Sequence, residues 1–337
     1  MQRVAVILLL FILLMNGRHN SDKLPAPFDG LSVKVRPIPI EDAGAPESFG
    51  PLRLTGAWQL SSPHRAFGGL SSMTVGDDGA LIALNDTGEL FGFRVTAPEG
   101  QGFVEPLPRP GLEKDWPGWK WDSESMKRDP VSGRIWVGFE LLQRICRYAP
   151  DFKRREGCVT PQAMQSWPVT GSIESLVRFG DGRFMAIAEM GMAAARGMSG
   201  AHDVLLWQGD PVDPATPPPV HLGYRPPTGY RPTDAVWLGG DKLLVLNRRL
   251  TLAEGFTARL SLVTLPRLER GAMLTSKVIA TFAPPGLADN FEALALSHEN
   301  GRPILWVGSD DNHLFLQRTL LLRFALPPDW VSETPAP

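Results

Sequence analysis

Acidic residues recur at regular intervals along this sequence, each followed by a small residue and then a large apolar one. The clearest example is Glu292-Ala293-Leu294. Four earlier triplets have the same form, although the first begins with serine. The five opening residues are Ser71, Glu124, Glu174, Asp234 and Glu292, about 50 to 60 residues apart.

A second polar position follows each opening after a Gly-containing turn and a short apolar run. In the last repeat the turn is Asn300-Gly301, the run is Ile304 to Val307, and polar residues come next. The residues at this second position are Asp86, Glu140, Glu189, Asn247 and Asp310 with Asp311. Together the two positions contain nine carboxylates, a pattern that favours metal binding or acid-base chemistry.

These carboxylates need a compensating partner if the fold brings them together. Two like charges about 4 Å apart repel by roughly 4 kcal/mol at an effective dielectric of 20. A bound cation, paired arginines or raised pKa values would offset this repulsion. Oxygen ligands without histidine or thiolate favour calcium, to which Asn247 and Asn312 would add neutral oxygens. We expect calcium as the cofactor and no organic cofactor.

Basic residues follow the same apolar runs, and Arg144, Arg248 and Arg318 are candidates to hold an anionic substrate group. They are equally suited to pair with the carboxylates. Glu124, Glu292 and His313 are candidates for catalytic acid-base roles. A structural alternative stays open, because acidic residues at strand ends also accept hydrogen bonds from turn amides and tie neighbouring repeats together.

Self-similarity with a period near fifty, with paired short strands and Gly turns, predicts an all-β fold made of a single β-propeller. Five repeats are visible and predict five blades, with six as the alternative if one repeat is too degenerate to see. A strand within Leu52 to Leu60 is expected to close the ring. The start of the first strand and the end of the second should lie at one face, at the mouth of the central tunnel.

The whole-chain composition narrows the functional classes. The 337 residues carry a formal net charge of -2, which gives no reason to expect nucleic acid as a partner. The sequence has no G-x-S-x-G, P-loop or H-E-x-x-H motif. The repeats predict one domain over residues 49–330, with a disordered tail over 331–337, and we expect a monomer.

The N-terminus indicates export. Residues 1–20 contain a positive flank and an apolar run from Val4 to Met15, which predicts a signal peptide or an uncleaved anchor. Residues 21–48 are Pro-rich and predict a tether. Periplasmic or secreted localisation follows, with membrane attachment only through an uncleaved N-terminus. Export permits a disulfide between Cys146 and Cys158; two separately buried thiols are the alternative.

Two long connections are candidates for binding loops or, alternatively, for loops that only pack on the rim of the propeller. Ala97 to Lys120 contains Trp116 and Trp119 among several prolines, and Met190 to His202 is rich in Gly, Ala and Met.

Several segments resemble the esterase-like activity of phytase family of bacterial propeller proteins. They are D-x-E-S at Asp122 to Ser125, F-E-x-x-x-R-I at Phe139 to Ile145, and the D-N-F-E and S-D-D-N segments near the C-terminus. The resemblance runs from about Phe67 to Leu326. The chain departs from the family's pattern at Ser71 and by an additional Trp-Pro-Gly-Trp segment before Asp122.

The resemblance implies hydrolysis of phosphoesters or other esters by a propeller protein. Together with the N-terminal segment and the acidic pattern, it predicts an exported, calcium-assisted hydrolase that binds a small anionic or ester substrate at the tunnel mouth. The family's propeller fold also suits a non-catalytic periplasmic protein that binds a ligand or a protein partner. The resemblance transfers no catalytic residues.

Overall fold

The computed structural model describes residues 31–64, 66–95, 101–111, 121–193, 197–314 and 316–332. These residues form an all-β structure of 22 strands with a few short helices. In chain order the strands are β1 (Leu31–Ser32), β2 (Lys34–Pro37), β3 (Arg53–Ser61), β4 (Leu70–Val75), β5 (Leu81–Asn85), β6 (Glu89–Phe93), β7 (Gln101–Pro106), β8 (Ser123–Arg128), β9 (Ile135–Phe139), β10 (Arg144–Tyr148), β11 (Arg155–Val159), β12 (Ile173–Arg178), β13 (Phe184–Met192), β14 (His202–Trp207), β15 (Val220–Arg225), β16 (Arg231–Gly239), β17 (Lys242–Thr251), β18 (Gly255–Thr264), β19 (Met273–Phe282), β20 (Asn290–Glu299), β21 (Arg302–Asp310) and β22 (Thr319–Ala325).

The helices are short and lie between strands or after the last one. The α-helix α1 spans Ile40–Ala43, and 3-10 helices span Pro46–Phe49, Gln162–Ser166 and Pro328–Trp330. No helix in the described ranges is both long and apolar enough to cross a membrane. The predicted signal peptide or anchor over residues 1–20 lies outside those ranges, as does nearly all of the predicted tail.

The strands form four sheets, mostly by antiparallel pairing of consecutive strands. Their orders are β1-β7-β6-β5-β4, β11-β10-β9-β8, β12-β13-β14-β15-β19-β18-β17-β16 and β2-β3-β22-β21-β20. The eight-stranded sheet contains two antiparallel sets, β12–β15 and β16–β19, joined through a parallel pairing of β15 with β19. We therefore describe five strand groups: group 1 (β4–β7), group 2 (β8–β11), group 3 (β12–β15), group 4 (β16–β19) and group 5 (β20–β22 with β3).

The first strands of the groups contact one another in a closed ring. β4 packs against β8, β8 against β12, β12 against β16, β16 against β20, and β20 against β4. Five apolar clusters lie between successive groups, so the core is distributed around this ring. For example, Leu246 and Leu260 of group 4 pack with Leu294 and Val307 of group 5. Four further clusters join groups 3 and 4, 5 and 1, 1 and 2, and 2 and 3.

Side chains along a strand point alternately to its two faces, and in these short strands both faces are buried. In β21 the residues from Pro303 to Asp310 are all buried, because strands within each group are packed between neighbouring groups on both sides. Tight turns separate the strands. Gly182, in the turn between β12 and β13, adopts a positive φ of 91°, which glycine tolerates without a steric penalty.

Residues 31–48 differ from the predicted tether. β1 pairs with β7, and β2 pairs with β3, so this segment extends two sheets. Leu31, Val33 and Phe49 are buried in the apolar clusters, which supplies the physical reason for their order. The part of the predicted tether before Leu31 lies outside the described residues.

The segment within 52–60, predicted to close the ring, forms β3. It pairs antiparallel with β22 over Thr319 to Ala325. The N-terminal β3 thus supplies the fourth strand of group 5, whose other strands come from the C-terminal part of the chain. The pairing leaves β22 without a free edge, which protects it from pairing with another chain.

The two cysteines form a disulfide between neighbouring strands. Cys146 on β10 lies directly opposite Cys158 on β11, with the two Cα atoms 4.0 Å apart. Of the two alternatives that the sequence left open, the disulfide is the one observed. Because β11 is the outer strand of its sheet, the disulfide attaches an edge strand to the interior of group 2.

We expect the double substitution Cys146→Ala/Cys158→Ala to lower the free energy of unfolding by about 3 kcal/mol, because the crosslink restricts the unfolded chain. Urea unfolding of the oxidised wild type and the variant measures the difference. The reduced wild type is the control and should match the variant. Equal stability of the oxidised and reduced wild type would contradict the prediction.

Candidate functional site

The first strand of every group contains a register shift at the same place. In β8, for example, Ser123 pairs with Phe139 and Ser125 with Gly138, which leaves Glu124 as an extra residue. Such a bulge interrupts the pairing and redirects the side chain of the extra residue. The bulged residues of the five groups are Ser71, Glu124, Glu174, Thr233 and Glu292.

The structure corrects the predicted role of Asp234. The bulged residue in β16 is Thr233, and Asp234 lies one position further along the strand. Its carboxylate is buried, accepts a hydrogen bond from Leu294 N at 2.8 Å and pairs with Lys127 Nζ at 3.0 Å. Burial raises the pKa of Asp234, and Lys127 opposes that effect. Asp234 therefore joins the first strands of groups 2, 4 and 5 and is not part of the carboxylate cluster.

The second polar position is also equivalent in all groups. The backbone N–H groups of Asp86, Glu140 and Glu189 donate to the residue two positions before the bulge, at 2.7 to 3.1 Å. Strand pairing places Arg248 and Asp310 at the same level, opposite Arg231 and Asn290. The five residues at this position are Asp86, Glu140, Glu189, Arg248 and Asp310.

Asn247, predicted to bind substrate or metal, points into group 4 instead. Its Oδ1 accepts a hydrogen bond from the hydroxyl of Tyr224 at 2.8 Å, and its Nδ2 donates to Val245 O and Ser261 Oγ. Asn247 is fully buried, so the prediction that it lines the site is wrong. Arg248 occupies the expected position because the pairing register is one residue later than the sequence pattern suggested.

Two sets of three carboxylates come close enough to share a cation. One contains Asp122, Glu124 and Glu140, and the other contains Glu140, Glu174 and Glu189; within each set one oxygen per residue lies within 4.8 Å of the others. Glu140 belongs to both sets. Five carboxylates from groups 2 and 3 therefore form one continuous acidic surface.

Backbone amides orient Glu140 at the centre of this surface. Its Oε1 accepts hydrogen bonds from Gly171 N and from Ser172 N, the latter at 3.1 Å. Ser172 Oγ also donates to the backbone carbonyl of Glu140 at 3.1 Å. Glu140 on group 2 is thus attached to the loop that leads into group 3. The side chain of Glu140 also interacts with that of Asp122.

The pKa values of three of these carboxyls are raised by burial and by their neighbours. Burial raises the pKa of Glu140 to about 8, and the adjacent Asp122 adds to the effect. Burial raises the pKa of Glu124 well above its usual range, with Glu174 as the largest charged contributor. Burial likewise raises the pKa of Glu174, with Glu189 next in importance. Raised pKa values favour the protonated carboxyls, and a bound cation would offset the same burial and repulsion.

Arg248 neutralises the opposite part of the cluster. Its Nη2 donates to Glu189 Oε1 at 2.8 Å, and its Nη1 contacts Glu292 Oε1 and Asn290 Oδ1, the latter at 2.8 Å. The surrounding carboxylates, led by Glu292, raise the pKa of Arg248 against the opposing effect of burial. With both guanidinium nitrogens occupied, Arg248 is an ion-pair partner and not a free anion-binding group.

Glu292 and Asp310 form a third part of the site, beside Asp86. Burial raises the pKa of Glu292 and raises that of Asp310 well above its usual range, with Glu292 the main charged neighbour of Asp310. Asn290 Nδ2 donates to Asp310 Oδ2 at 3.4 Å, and Asn312 N donates to Asp310 Oδ1 at 2.6 Å.

Asp311 has a structural function instead of a ligand role. Its Oδ1 accepts from Gly69 N and His313 N, both at 3.0 Å, and its Oδ2 accepts from Thr319 Oγ1 at 2.7 Å. These contacts connect the loop after β21 to the segment before β4. The prediction that Asp311 belongs to the metal ring is therefore wrong.

The loop after β21 also positions His313. Gly69 has a φ of +62°, and a Cβ there would lie 2.9 Å from His313 Nε2 and 3.0 Å from Asp86 Oδ1. The absent side chain lets His313 approach Asp86. His313 is exposed, whereas Asn312 Nδ2 donates to Gln317 Oε1 at 3.1 Å and only its backbone contacts the acidic residues.

Two predicted anion-binding arginines are also engaged elsewhere. Arg144 donates to Pro110 O at 2.9 Å and to Thr160 Oγ1 at 3.2 Å, both outside the carboxylate cluster. Arg318 pairs with Asp289 at 3.4 Å. Residues 112–120, with Trp116 and Trp119, lie outside the described residues, as do residues 194–196 of the second long connection.

The sequence pattern missed two features of the site. Asp122, which has a left-handed φ of 48°, joins Glu124 and Glu140 although it precedes the repeated triplet. Thr233 replaces Asp234 at the bulge. An alignment on the buried residue two positions after the bulge, such as Met126 or Ala235, would have identified Thr233.

Sequence comparison establishes the family. The chain belongs to the phytase-like family described as esterase-like activity of phytase, whose model matches residues 65–313. This range includes every carboxylate of the cluster. No curated protein sequence matches the chain.

Similar solved structures include three with TM-scores of 0.36 to 0.41. The PQQ-bound aldose sugar dehydrogenase of Streptomyces coelicolor has 10% identity and a TM-score of 0.41, and the match covers 89% of this chain and 100% of that one. The PQQ domain of pyranose dehydrogenase from Coprinopsis cinerea has 10% identity and a TM-score of 0.41, covering 83% and 98%. The β-propeller domain of Swd1 from Myceliophteria thermophila has 8% identity and a TM-score of 0.36, covering 90% and 98%.

Removal of Lys127 should destabilise the ring of first strands. We expect Lys127→Met to lower the free energy of unfolding by about 3 kcal/mol, because it leaves the buried Asp234 carboxylate without its cation. Urea unfolding measures the effect. The double substitution Lys127→Met/Asp234→Asn removes the charge and should recover at least half of the loss. Wild-type stability of Lys127→Met would contradict the assignment.

The raised pKa of Glu140 predicts how stability depends on pH without divalent cations. Between the unfolded pKa of 4.5 and the folded pKa of about 8, the folded protein binds more protons than the unfolded protein. The free energy of unfolding should therefore decrease as pH rises through this window. Urea unfolding in EDTA at several pH values tests this, and Glu140→Gln should flatten the slope. A slope that Glu140→Gln leaves unchanged would count against the prediction.

Proposed function

We propose that this protein is a divalent-cation-assisted hydrolase of phosphoesters or other esters, built on a five-bladed β-propeller with its site at one end of the central tunnel. The five strand groups, the closed ring of first strands and the pairing of β3 with β22 support this fold. Each strand group corresponds to one blade, and β3 corresponds to the closing strand. Family membership supports the hydrolase assignment.

The observation that carries the proposal is the imbalance of charge in the cluster. The bulged and second positions together contain seven carboxylates, and Asp122 adds an eighth, whereas in the described chain only Arg248 pairs closely with them and Arg231 lies 4.0 Å from Glu189. Arg248 contacts Glu189 and Glu292 but leaves Glu124, Glu140 and Glu174 without a cationic partner in the described chain. A cation bound by oxygen ligands would relieve the repulsion that the raised pKa values express.

Calcium fits the chemistry of the available ligands. Asp122, Glu124, Glu140, Glu174 and Glu189 offer only carboxylate oxygens, and hard cations of flexible coordination prefer such ligands. A bound cation would polarise an ester oxygen and lower the pKa of a coordinated water. The protein itself orients Glu140 through the amides of Gly171 and Ser172, so the ligand geometry is held before the cation binds.

The remaining side of the site offers groups that transfer protons. Glu292 and Asp310 share a hydrogen bond and have raised pKa values, which favours a proton shared between them. His313 lies beside Asp86 at the same end of the strands. In this proposal Glu292, Asp310 and His313 supply the acid and base for water attack and leaving-group departure.

The proposal includes an exported location and a monomeric state. The disulfide between Cys146 and Cys158 supports export, because disulfides persist mainly in oxidising compartments. The apolar run near the N-terminus, as signal peptide or anchor, would deliver the protein to the periplasm or outside the cell. A small anionic or ester substrate is the proposed partner, and nucleic acid is not.

A non-catalytic propeller that binds a ligand or a protein is the second candidate. One observation favours it: Glu140, Glu174 and Glu189 are buried and, in the case of Glu140, fixed by backbone amides that link two groups. A cation held there would stabilise the fold without contacting substrate.

Calcium should stabilise the wild-type protein in a thermal melt that begins in EDTA. A ligand at about a hundred times its dissociation constant adds roughly 2.7 kcal/mol, which a melt resolves. Glu124→Gln and Glu174→Gln should abolish this shift, together with hydrolysis of p-nitrophenyl phosphate or p-nitrophenyl acetate. Asp77→Asn, an exposed carboxylate paired with Arg128, is the matched control and should behave as wild type.

This experiment distinguishes the hydrolase from the non-catalytic binding protein. A calcium-dependent shift without turnover of either ester would exclude the hydrolase and favour the binding protein. The absence of any shift with calcium, magnesium or manganese would exclude the cation site in both.

A further inference from the structure

Two arginines stack on one tyrosine at the edge of group 4. The guanidinium carbon of Arg249 lies 4.7 Å from the centre of the Tyr230 ring, and that of Arg259 lies 4.5 Å from the same point. Tyr230 is buried, and its hydroxyl is hydrogen-bonded to Thr257 Oγ1 at 3.1 Å. Both guanidinium groups therefore pack against one fixed, buried ring.

The sheet register explains this arrangement. Arg249 on β17 pairs with Thr257 on β18, and Asn247 pairs with Arg259. Arg249 and Arg259 are thus diagonal neighbours on one face of the sheet, within reach of each other for long side chains. Tyr230 immediately precedes β16, so it lies at the same end of the group as Arg248 and the carboxylate cluster.

The charge of Arg259 has no counterpart in the described chain. Its side chain makes neither an ion pair nor a hydrogen bond with any described residue, and its buried Nε has no acceptor. The Nε of Arg249 is likewise buried without an acceptor. Among the described residues, Arg249 forms an ion pair only with Glu254, whose side chain is half exposed and therefore screened by solvent.

Stacking on Tyr230 offsets only part of this cost. A cation is attracted to an aromatic face, whereas a second guanidinium on the same ring adds repulsion between like charges. An anion between the guanidinium groups would satisfy the free N–H donors and remove the repulsion.

We propose that Arg249 and Arg259, held by Tyr230, form a binding site for an oxyanion, such as the phosphate or carboxylate group of a small molecule. Planar guanidinium groups bind such groups through paired hydrogen bonds. The site adjoins the carboxylate cluster, because Arg249 follows Arg248 in β17, but it needs no cation and no hydrolysis. It therefore stands whether or not the proposed hydrolase activity is found.

Titration calorimetry of the full chain in EDTA tests the site, with inorganic phosphate and acetate as separate probes at constant ionic strength. EDTA removes cations that would bind phosphate at the carboxylate cluster. We expect phosphate or acetate to bind wild type, and Arg259→Gln to weaken that binding by roughly tenfold or more. The stronger of the two probes identifies the chemical class of the ligand.

Arg267→Gln is the matched control, since the side chain of Arg267 is 87% exposed and contacts only Glu269. It removes the same charge and should leave anion affinity unchanged. Arg259→Lys keeps the charge without the planar fork, should fold if Arg259→Gln does not, and should also bind more weakly than wild type. Equal affinity of wild type and the Arg259 variants, equal losses in Arg259→Gln and Arg267→Gln, or no binding of either anion would overturn the proposal.

Discussion

Repulsion among carboxylates at one end of the ring of first strands is the constraint on which the rest of this structure depends. Each strand group directs an acidic side chain to this end at its bulge, at its second position, or at both, except that group 4 has Thr233 and Arg248 there. That exception is physically useful, because Arg248 lies among acidic neighbours and bridges Glu189 and Glu292. Glu124, Glu140 and Glu174, which form no ion pair with Arg248, have raised pKa values. Bound protons or a cation would offset the repulsion among them.

The fold accommodates the repulsion among these carboxylates because the apolar contacts that hold it together lie elsewhere. Apolar clusters fill the spaces between all successive strand groups, so no single group depends on the acidic end for its packing. The ion pair between Lys127 and Asp234 connects groups 2 and 4, which are not neighbours in the ring. The hydrogen bond from Leu294 N extends the connection to group 5. A carboxylate cluster whose side chains are already held in place can bind a ligand without a large entropic cost of ordering those side chains.

Charge changes sign over a short distance at group 4. Arg248 belongs to the acidic mouth, whereas Arg249 and Arg259 stack on Tyr230 without matching carboxylates. Adjacent acidic and basic regions suit a ligand whose own charges alternate, or an anion bridged to the carboxylates by a cation. Group 4 departs most from the repeat, and the departures concentrate the positive charge of the site on one side.

The sequence by itself determined the all-β class, the family, the period of the repeat and the pair of cysteines, because turns and apolar runs are local and leave a direct pattern. It also located most of the acidic cluster, since Glu124, Glu174 and Glu292 recur with their strands. Only the tertiary structure decided which residues share the site. A one-residue change in pairing register sends a side chain to the opposite face, and this placed Thr233 and Arg248 at the positions expected for Asp234 and Asn247. The meeting of Lys127 with Asp234, and of Arg259 with Tyr230, likewise depends on contacts between distant segments that no local pattern encodes.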